Sequence, residues 1–446
     1  MTLPYLARHD LSLMHGWVPV SVQILAAAAM IAAVGWRTRR WRRVWVPWAA
    51  SIGGGLAFTT YCYIRSAGVA DESNPAPPTL WVWIALSGTA FGVLVAGWRG
   101  ARRWRRTASA LAVPLCALAA ALVLNLWVGY FPTVDTAWNQ LTAGPVPDQT
   151  DQVVVAALQK QHAVPIKGSV VPVQIPSTAS GFTHRQEFVY VPPAWFASDP
   201  PPALPVVMMI GGEFNTPADW LRAGEAVKIL DEFARAHRGY APVAVFVDPG
   251  GTFDNDTECV NGPRGNAADH LVKDVVPYLK SQYGVSPAAA GWGVVGWSMG
   301  GTCAVDLTVM HPDIFSTFVD IAGDAAPNAG TRNETVQRLF GGDSAAYAAF
   351  DPTAVMERHG PYRGVEGWFA VNAVPGAATP NEQAVSAASL CGVGSRSGIA
   401  CAVVSRPGNH DWPFASTAFA TALPWLAARI GTPGVPQTGF PGTVHG

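Results

Sequence analysis

The chain has 446 residues, of which half are hydrophobic and 13% are charged, a composition too apolar for an average soluble domain. Its net charge of −1 hides a division, because residues 1–130 carry a formal charge of +9 and residues 131–446 carry −10. The arginine clusters lie between apolar stretches and form no basic stripe with interleaved aromatic residues, so the sequence excludes a nucleic-acid partner.

Four apolar stretches in the first third of the chain are each long enough to cross a bilayer, which takes about 20 helical residues. They comprise residues 17–36, 44–64, 80–98 and 108–130. Ten of the 18 tryptophans lie in this third, many at the ends of the stretches, where interfacial aromatic residues are enriched. The sequence therefore predicts a transmembrane domain of four helices over residues 1–130, with the lipid bilayer as its partner.

The loops between these stretches predict the orientation. Residues 37–43 contain five arginines and residues 99–106 contain another five, which the positive-inside rule assigns to the cytoplasm. The loop at residues 71–79 and everything after Tyr130 are then expected outside the cytoplasm. This makes the protein a multi-pass membrane protein with an extracytoplasmic C-terminal domain.

Four cysteines lie in the part expected outside the cytoplasm, where disulfides can form. They are Cys259, Cys303, Cys391 and Cys401. Four cysteines allow three connectivities. We favour the pairs Cys259–Cys303 and Cys391–Cys401, and the alternative is a set of buried free thiols.

Residues 131–167 are polar and rich in proline, which indicates an extracytoplasmic linker. Beyond it, short apolar stretches alternate with longer amphipathic ones. Strands are expected at 168–176, 187–193, 204–212, 241–250, 291–297, 317–324, 367–374 and 400–406, and helices at 223–237, 266–284, after Ser298 and at 416–430. Strands that are apolar on both faces and separated by helices indicate an α/β fold with a mostly parallel sheet. The first two strands are close enough to form an antiparallel hairpin, and residues 431–446 are expected to be a flexible tail.

A candidate nucleophile lies where the fifth expected strand meets a helix. Residues 296–300 read Gly-Trp-Ser-Met-Gly, which fits the Gly-x-Ser-x-Gly pattern of a serine held on a tight strand-to-helix turn. The pattern alone is common by chance. The strand before Ser298 and the helix after it favour a nucleophile over an ordinary loop serine.

A serine nucleophile needs a base and an acid, which follow it in the order acid, then histidine. His410 comes directly after the last expected strand and before the last helix, whereas His311, His359 and His445 lie in positions typical of surface residues. Glu382 is the carboxylate between the penultimate strand and His410, and it is our preferred acid. Asp324, at the end of the preceding strand, is the alternative.

A tetrahedral oxyanion needs two backbone donors, one after the nucleophile and one from the loop after the third strand. The first is the N–H of Met299. The second is expected from Glu213 or from Gly212 beside it.

The segments LPVVMMIGGEFN, HLVKDVVPYLKSQYGV, GWSMGG, HPDIFSTFVDIAG and GNHDW resemble the putative-esterase family of α/β-hydrolases, over residues 168–430. This family includes esterase D-like enzymes and the secreted mycolyltransferases. The resemblance implies a serine esterase that acts on an acyl ester of a lipid or glycolipid. In the mycolyltransferases the acid is a glutamate shortly before the histidine, and the position of Glu382 is similar. The transmembrane third lies outside the family domain and resembles actinobacterial membrane-anchored forms.

Two other functions remain open at this point. An acyltransferase would pass the acyl group to trehalose or to an envelope glycan, and a catalytically silent protein of this fold would only bind the envelope. We expect no cofactor and no metal. Residues 254–259 (DNDTEC) space their acids like the start of a calcium loop, but Cys259 and Gly265 stand where that loop needs glycine and glutamate.

Overall fold

The computed structural model describes residues 11–35, 37–66, 76–99, 101–142, 144–373 and 379–442. The chain forms two compact units, Met1–Gly144 and Pro145–Gly446. The helices of the first unit are α1 (Trp17–Val34), α2 (Val46–Ser66), α3 (Pro78–Gly97), α4 (Arg103–Val128) and α5 (Val134–Leu141), with a π-helical turn at Trp41–Trp45 before α2. Most of the loop expected at residues 71–79 lies outside the described residues.

Three helices of the first unit are long and apolar enough to cross a membrane, namely α1, α3 and α4, as judged over the described residues. The second predicted span, α2, is also a long helix but is not among these three. It packs closely on α3, because a Cβ atom on Gly53 would lie 2.1 Å from the Ala85 carbonyl oxygen. Such close backbone approach at small residues is typical of helix pairs in membranes.

One arginine side chain, that of Arg37, binds the carboxyl ends of two of these helices. Arg37 donates through Nη2 to the Ala33 carbonyl of α1 at 2.9 Å and through Nη1 to the Gly97 carbonyl of α3 at 3.2 Å. The ends of α1 and α3 therefore meet at the arginine-rich loop, as expected for helices that run in the same direction.

The second unit is built on an eight-stranded sheet. Its strands are β1 (Ser169–Val173), β2 (Glu187–Val191), β3 (Val206–Ile210), β4 (Val243–Val247), β5 (Trp292–Trp297), β6 (Thr317–Ile321), β7 (Glu366–Ala373) and β8 (Ala400–Pro407). The spatial order is β1-β2-β4-β3-β5-β6-β7-β8. The first two strands pair antiparallel, which confirms the expected hairpin, and from β4 to β8 all neighbours are parallel. A small two-stranded hairpin joins Asn261–Gly262 to Gly265–Asn266.

One helix, α6 (Gln152–Lys160), precedes the sheet, and further helices follow most of its strands. The latter are α7 (Pro217–Arg222), α8 (Ala226–Ala236), α9 (Val276–Tyr283), α10 (Met299–Met310), α11 (Arg332–Phe340), α12 (Ser344–Phe350), α13 (Pro352–His359), α14 (Glu382–Arg396) and α15 (Trp412–Arg429). Every residue of β2 through β6 is buried, so both sides of the sheet are covered. This is an α/β-hydrolase-like fold with a mostly parallel sheet, as the sequence predicts.

Three details differ from the sequence expectation. The helix expected at 223–237 begins only at Ala226, as α8, because Glu225 before it has a φ of 50°, and the separate helix α7 precedes it. The helix expected at 266–284 contains a π-helical turn, His270–Val275, between the short Ala267–Asp269 helix and α9. Part of the expected flexible tail contacts the domain, since Trp368 Nε1 donates to the Pro441 carbonyl at 3.0 Å.

Candidate active site

Ser298 stands on a strained turn between β5 and α10. Its φ of 57° and ψ of −124° are far from the conformations that non-glycine residues favour. The turn brings backbone segments so close that a Cβ atom on Gly296 would lie 1.6 Å from the Gly300 carbonyl oxygen. The glycines of the pentapeptide therefore allow the turn, and the turn presents Ser298 beyond the carboxyl end of β5.

His410 lies in hydrogen-bond contact with this serine. Its Nε2 is 3.0 Å from Ser298 Oγ, although the two residues are 112 positions apart. The imidazole ring packs on the indole of Trp297, with ring centroids 4.3 Å apart. After it, Asp411 accepts the N–H of Phe414 at 3.0 Å and caps α15. The adjacent helix start and the Trp297 ring thus hold the imidazole beside Ser298.

The two candidate acids lie in different surroundings. Glu382 is the first residue of α14, and Asn381 before it donates through Nδ2 to the Asn372 carbonyl of β7 at 2.8 Å. Because β7 and β8 are parallel, with Ala373 paired to Pro407, Glu382 and His410 both follow the same edge of the sheet. The backbone N–H of Asp324 instead donates to Thr302 Oγ1, and its Oδ2 accepts from Asn328 Nδ2 at 3.1 Å.

Gly212, Glu213 and Met299 line one small pocket. Parallel pairing of Ile210 with Gly296 brings the loop after β3 alongside the turn at Ser298. The N–H of Gly212 donates to Asn215 Oδ1 at 2.8 Å. Of the two candidate N–H donors in this loop, that of Gly212 is thus already engaged in a hydrogen bond within the loop.

The side chain of Arg185 holds this loop through a hydrogen bond to its backbone. It donates through Nη2 to the Asn215 carbonyl at 2.8 Å and to Asp248 Oδ1 at 2.6 Å. Burial would raise the pKa of Asp248, but the hydrogen bonds and charge of Arg185 lower it below its ordinary value. The sequence analysis missed this pair, because 63 residues separate its members and no local pattern marks them.

Carboxyl groups give the pocket an unusual electrostatic character. Burial, and then the charge of Asp256, raises the pKa of Glu213 to about 7 against an opposing effect of Arg264. Burial also raises the pKa of Asp256 to about 6, although Arg264 lowers it. Glu258 is buried behind them, and burial followed by the charge of Asp256 raises its pKa well above the ordinary value. Glu213 and Asp256, which both line the pocket, are therefore acids that are partly protonated near neutral pH.

Two disulfides are present, in the pairing that the sequence analysis favours. Cys259 is bonded to Cys303, which joins the loop that forms one pocket wall to the second turn of α10. Cys391 of α14 is bonded to Cys401, near the start of β8 and away from His410. The first disulfide therefore belongs to the surroundings of the active site and the second does not.

Outside the pocket, one group of side chains has the geometry to hold a metal ion. Ligand atoms of His184, Glu187 and His270 lie within 4.8 Å of one another. The sequence analysis expects no metal and did not single out these residues.

A sheet of this order, with a serine on a strained turn after its fifth strand and a histidine after its last, defines an α/β-hydrolase. Residues 183–426, more than half of the chain, match the family model described as Putative esterase, and the chain belongs to this family.

The chain is similar over nearly its full length to one curated relative. An uncharacterized protein of Corynebacterium glutamicum is 28% identical over 433 residues, which cover 93% of this chain and 96% of the relative. Among solved structures, an S-formylglutathione hydrolase of Agrobacterium tumefaciens has a TM-score of 0.48 at 19% identity, covering 60% of this chain and 97% of that chain. The MPT51 protein of Mycobacterium tuberculosis has a TM-score of 0.40 at 19% identity, covering 58% and 97%.

Proposed function

We propose that this protein is a serine esterase in which Ser298 attacks the acyl carbonyl of an ester and forms an acyl-enzyme. The observation that carries the proposal is the 3.0 Å contact between His410 Nε2 and Ser298 Oγ, made on a strained turn in a member of an esterase family. His410 takes the serine proton as general base and returns it to the leaving alcohol. Water then attacks the acyl-enzyme. His410 takes the proton of this water and returns it to Ser298 Oγ as the acid is released.

Glu382 is our proposed acid of the triad. Two features support it over Asp324. Glu382 follows β7, the strand next to β8, which leads to His410, whereas Asp324 follows β6, one strand further away. The charge of Asp324 also raises the pKa of Asp256 and of Glu258, so Asp324 acts on the acids of the loop after β4. An acid at Glu382 orients the imidazole and stabilises the imidazolium that forms.

The N–H groups of Met299 and Glu213 are the proposed oxyanion donors. Met299 begins α10, where backbone N–H groups have no partner within the helix and the helix dipole favours negative charge. Glu213 is preferred over Gly212 because the Gly212 N–H already donates to Asn215.

A fluorophosphonate probe tests the nucleophile, because it reacts covalently with an activated serine. We expect the full chain in detergent micelles to be labelled, Ser298→Ala to lose the label, and the exposed helix serine variant Ser281→Ala to keep it. Absence of labelling in folded wild-type protein would leave the silent envelope-binding alternative standing. For the acid, we expect Glu382→Gln to lower kcat by ~10⁴, as for the acid of a serine triad, and Asp324→Asn to stay near wild type.

We further propose that residues 1–130 anchor the enzyme through four helices, and that the linker at 131–167 and the hydrolase domain lie outside the cytoplasm. Three long apolar helices and two disulfides support this placement. Membrane fractionation followed by labelling of intact cells with a membrane-impermeant fluorophosphonate tests it. Labelling that requires cell lysis would contradict the placement.

Hydrolysis is proposed over acyl transfer, and one assay separates the two. Unlabelled wild-type protein is supplied with an acyl donor, with and without trehalose, and the products are separated. Free acid in both reactions supports the esterase, while acylated sugar in place of free acid would establish the acyltransferase.

A further inference from the structure

A compact group of buried imidazole and carboxylate side chains lies behind the candidate active site. It joins His184, which precedes β2, to Glu187, the first residue of β2, and to His270 in the π-helical turn. The two imidazole rings stack with centroids 4.4 Å apart. The side chains of Glu187 and His270 are fully buried, and that of His184 is 7% exposed.

Glu187 has one oxygen engaged and one without a hydrogen bond. Its Oε1 accepts the N–H of Asp248 at 2.9 Å and lies 3.2 Å from His270 Nε2. Among the described residues, none makes a hydrogen bond to Oε2, which lies 3.5 Å from His184 Nδ1. A buried carboxylate oxygen in this position is unfavourable unless a cation compensates it.

In each imidazole ring, the inner nitrogen is the one that faces Glu187. The other, outer nitrogen lies beside a fixed hydrogen-bond acceptor. His184 Nε2 is 2.7 Å from the Ile175 carbonyl, and His270 Nδ1 is 3.4 Å from Asp274 Oδ2. Asp274 is itself fixed by the N–H groups of Ala179 and Ser180. A neutral imidazole carries one N–H. If the outer nitrogens donate to these acceptors, the inner nitrogens turn their lone pairs towards Glu187.

The inner faces of the group therefore present two imidazole nitrogens and a carboxylate to one another. The Arg185 carbonyl oxygen adds a fourth candidate ligand atom, 2.8 Å from His184 Nδ1. For atoms within 4.8 Å of one another, a point exists that is at most about 2.8 Å from each, against zinc bonds to nitrogen and oxygen of ~2.0 to 2.2 Å. A small closure of the three side chains would bring all of them to bonding distance.

We propose that His184 Nδ1, His270 Nε2 and the Glu187 carboxylate bind a zinc ion, with the Arg185 carbonyl as the fourth ligand. Two imidazoles and a carboxylate suit zinc better than calcium or magnesium, which prefer oxygen ligands. The acceptors on the outer nitrogens match the outer-shell groups that orient metal-bound histidines. Because the ligands are buried and the fourth position is filled by backbone, the site is structural and not catalytic.

The site would fix a part of the chain that supports the pocket. His184 directly precedes Arg185, whose side chain binds Asp248 and the Asn215 carbonyl. Zinc would thus tie the entry to β2, the π-helical turn and the base of the pocket together. The proposal does not depend on the identity of the nucleophile or of the substrate.

The test is metal retention by the full chain in detergent micelles, purified without a histidine tag. The protein is treated with a chelator, mixed with one equivalent of Zn²⁺, passed through a desalting column and analysed for metal. We expect about one retained zinc per chain in wild type and in the control His237→Gln, whose Nδ1 instead contacts the Phe233 carbonyl. His270→Gln and Glu187→Gln are expected to retain less than a tenth of this amount.

Two further measurements keep the test informative if a ligand variant folds poorly. Asp274→Asn leaves the ligands in place and should weaken zinc binding about 10-fold to 100-fold, as outer-shell changes do. Co²⁺ in place of Zn²⁺ should give the visible absorption of a four-coordinate site in wild type. The proposal is overturned if folded wild-type protein retains no zinc, or if the ligand variants retain as much as wild type does.

Discussion

Removal of the Cys259–Cys303 disulfide should loosen the active site as well as destabilise the domain. The two cysteines are 44 residues apart in the chain. For a closed loop of that length, the chain-entropy model gives a loss of ~4 kcal/mol of unfolding free energy. The Cys391–Cys401 disulfide closes only 10 residues, for which the same model gives about 3 kcal/mol. The second disulfide is therefore a matched control that differs in loop length and in position.

The assay compares the double variants Cys259→Ala/Cys303→Ala and Cys391→Ala/Cys401→Ala. Pulse proteolysis of the full chain across a urea series reports the stability of the hydrolase domain, and the rate of fluorophosphonate labelling reports the site. We expect both variants to unfold at lower urea than wild type, the first more so. Only the first should be labelled more slowly, because Cys259 ends the loop that forms a wall of the pocket.

Two results would refute this reasoning. Equal or greater destabilisation by loss of Cys391–Cys401 would contradict the loop-length argument. Unchanged labelling in a folded Cys259→Ala/Cys303→Ala variant would show that the disulfide does not hold the pocket wall.

Three further predictions concern single residues of the site. Glu213 has a pKa of about 7 and ionises as the pH rises through this value. Its negative charge should therefore oppose the oxyanion and lower kcat/KM above neutral pH. Glu213→Gln should remove this decrease, and a pH profile that is the same in the variant and in wild type would contradict the prediction. A Cβ atom on Gly300 would lie 2.4 Å from the Ile210 carbonyl oxygen, so Gly300→Ala should lower the free energy of unfolding measured by pulse proteolysis by about 3 kcal/mol. The control Gly392→Ala should be neutral or stabilising, because its Cβ would meet no atom closer than 3.8 Å. Phe253 is 67% exposed, and its ring lies 5.3 Å from that of Phe214 at the pocket. Phe253→Ser should therefore lower kcat/KM about tenfold for long acyl esters, which corresponds to about 1.4 kcal/mol of apolar contact, and should change it little for acetyl esters. Ile166→Ser is the control, and equal losses for both esters would refute a role of Phe253 in acyl binding.

The parts of the fold that sequence could predict are those decided by neighbouring residues. Each strand of the sheet is a short apolar stretch, and the turn at Ser298 is marked by glycines that lie two residues to either side of it. The approach of His410 to Ser298 could be predicted because the order of strands along the chain fixes which loop follows the last one. These signals are local or depend only on order, so they do not require knowledge of the tertiary contacts.

The details that sequence could not predict depend on distant or unfavourable contacts. The late start of α8 at Ala226 needs a positive φ at Glu225, a residue type that usually continues a helix. The pairing of Arg185 with Asp248 and the approach of Glu187 to His270 join residues 63 and 83 positions apart. Neither charge pair has a spacing pattern, because its members meet only when β2 pairs antiparallel with β4, after β3 has been placed beside β4.

The backbone N–H and the carboxyl group of Glu213 differ in how far the sequence can predict their roles. Any residue offers a backbone N–H, so its position after β3 was enough to propose it as an oxyanion donor. Its carboxyl is a different matter, because the pKa depends on burial and on Asp256, which reaches the pocket from the loop after β4. Sequence position is therefore enough to propose the backbone chemistry of this site, while the predicted pH dependence follows from side chains whose proximity only the folded chain defines.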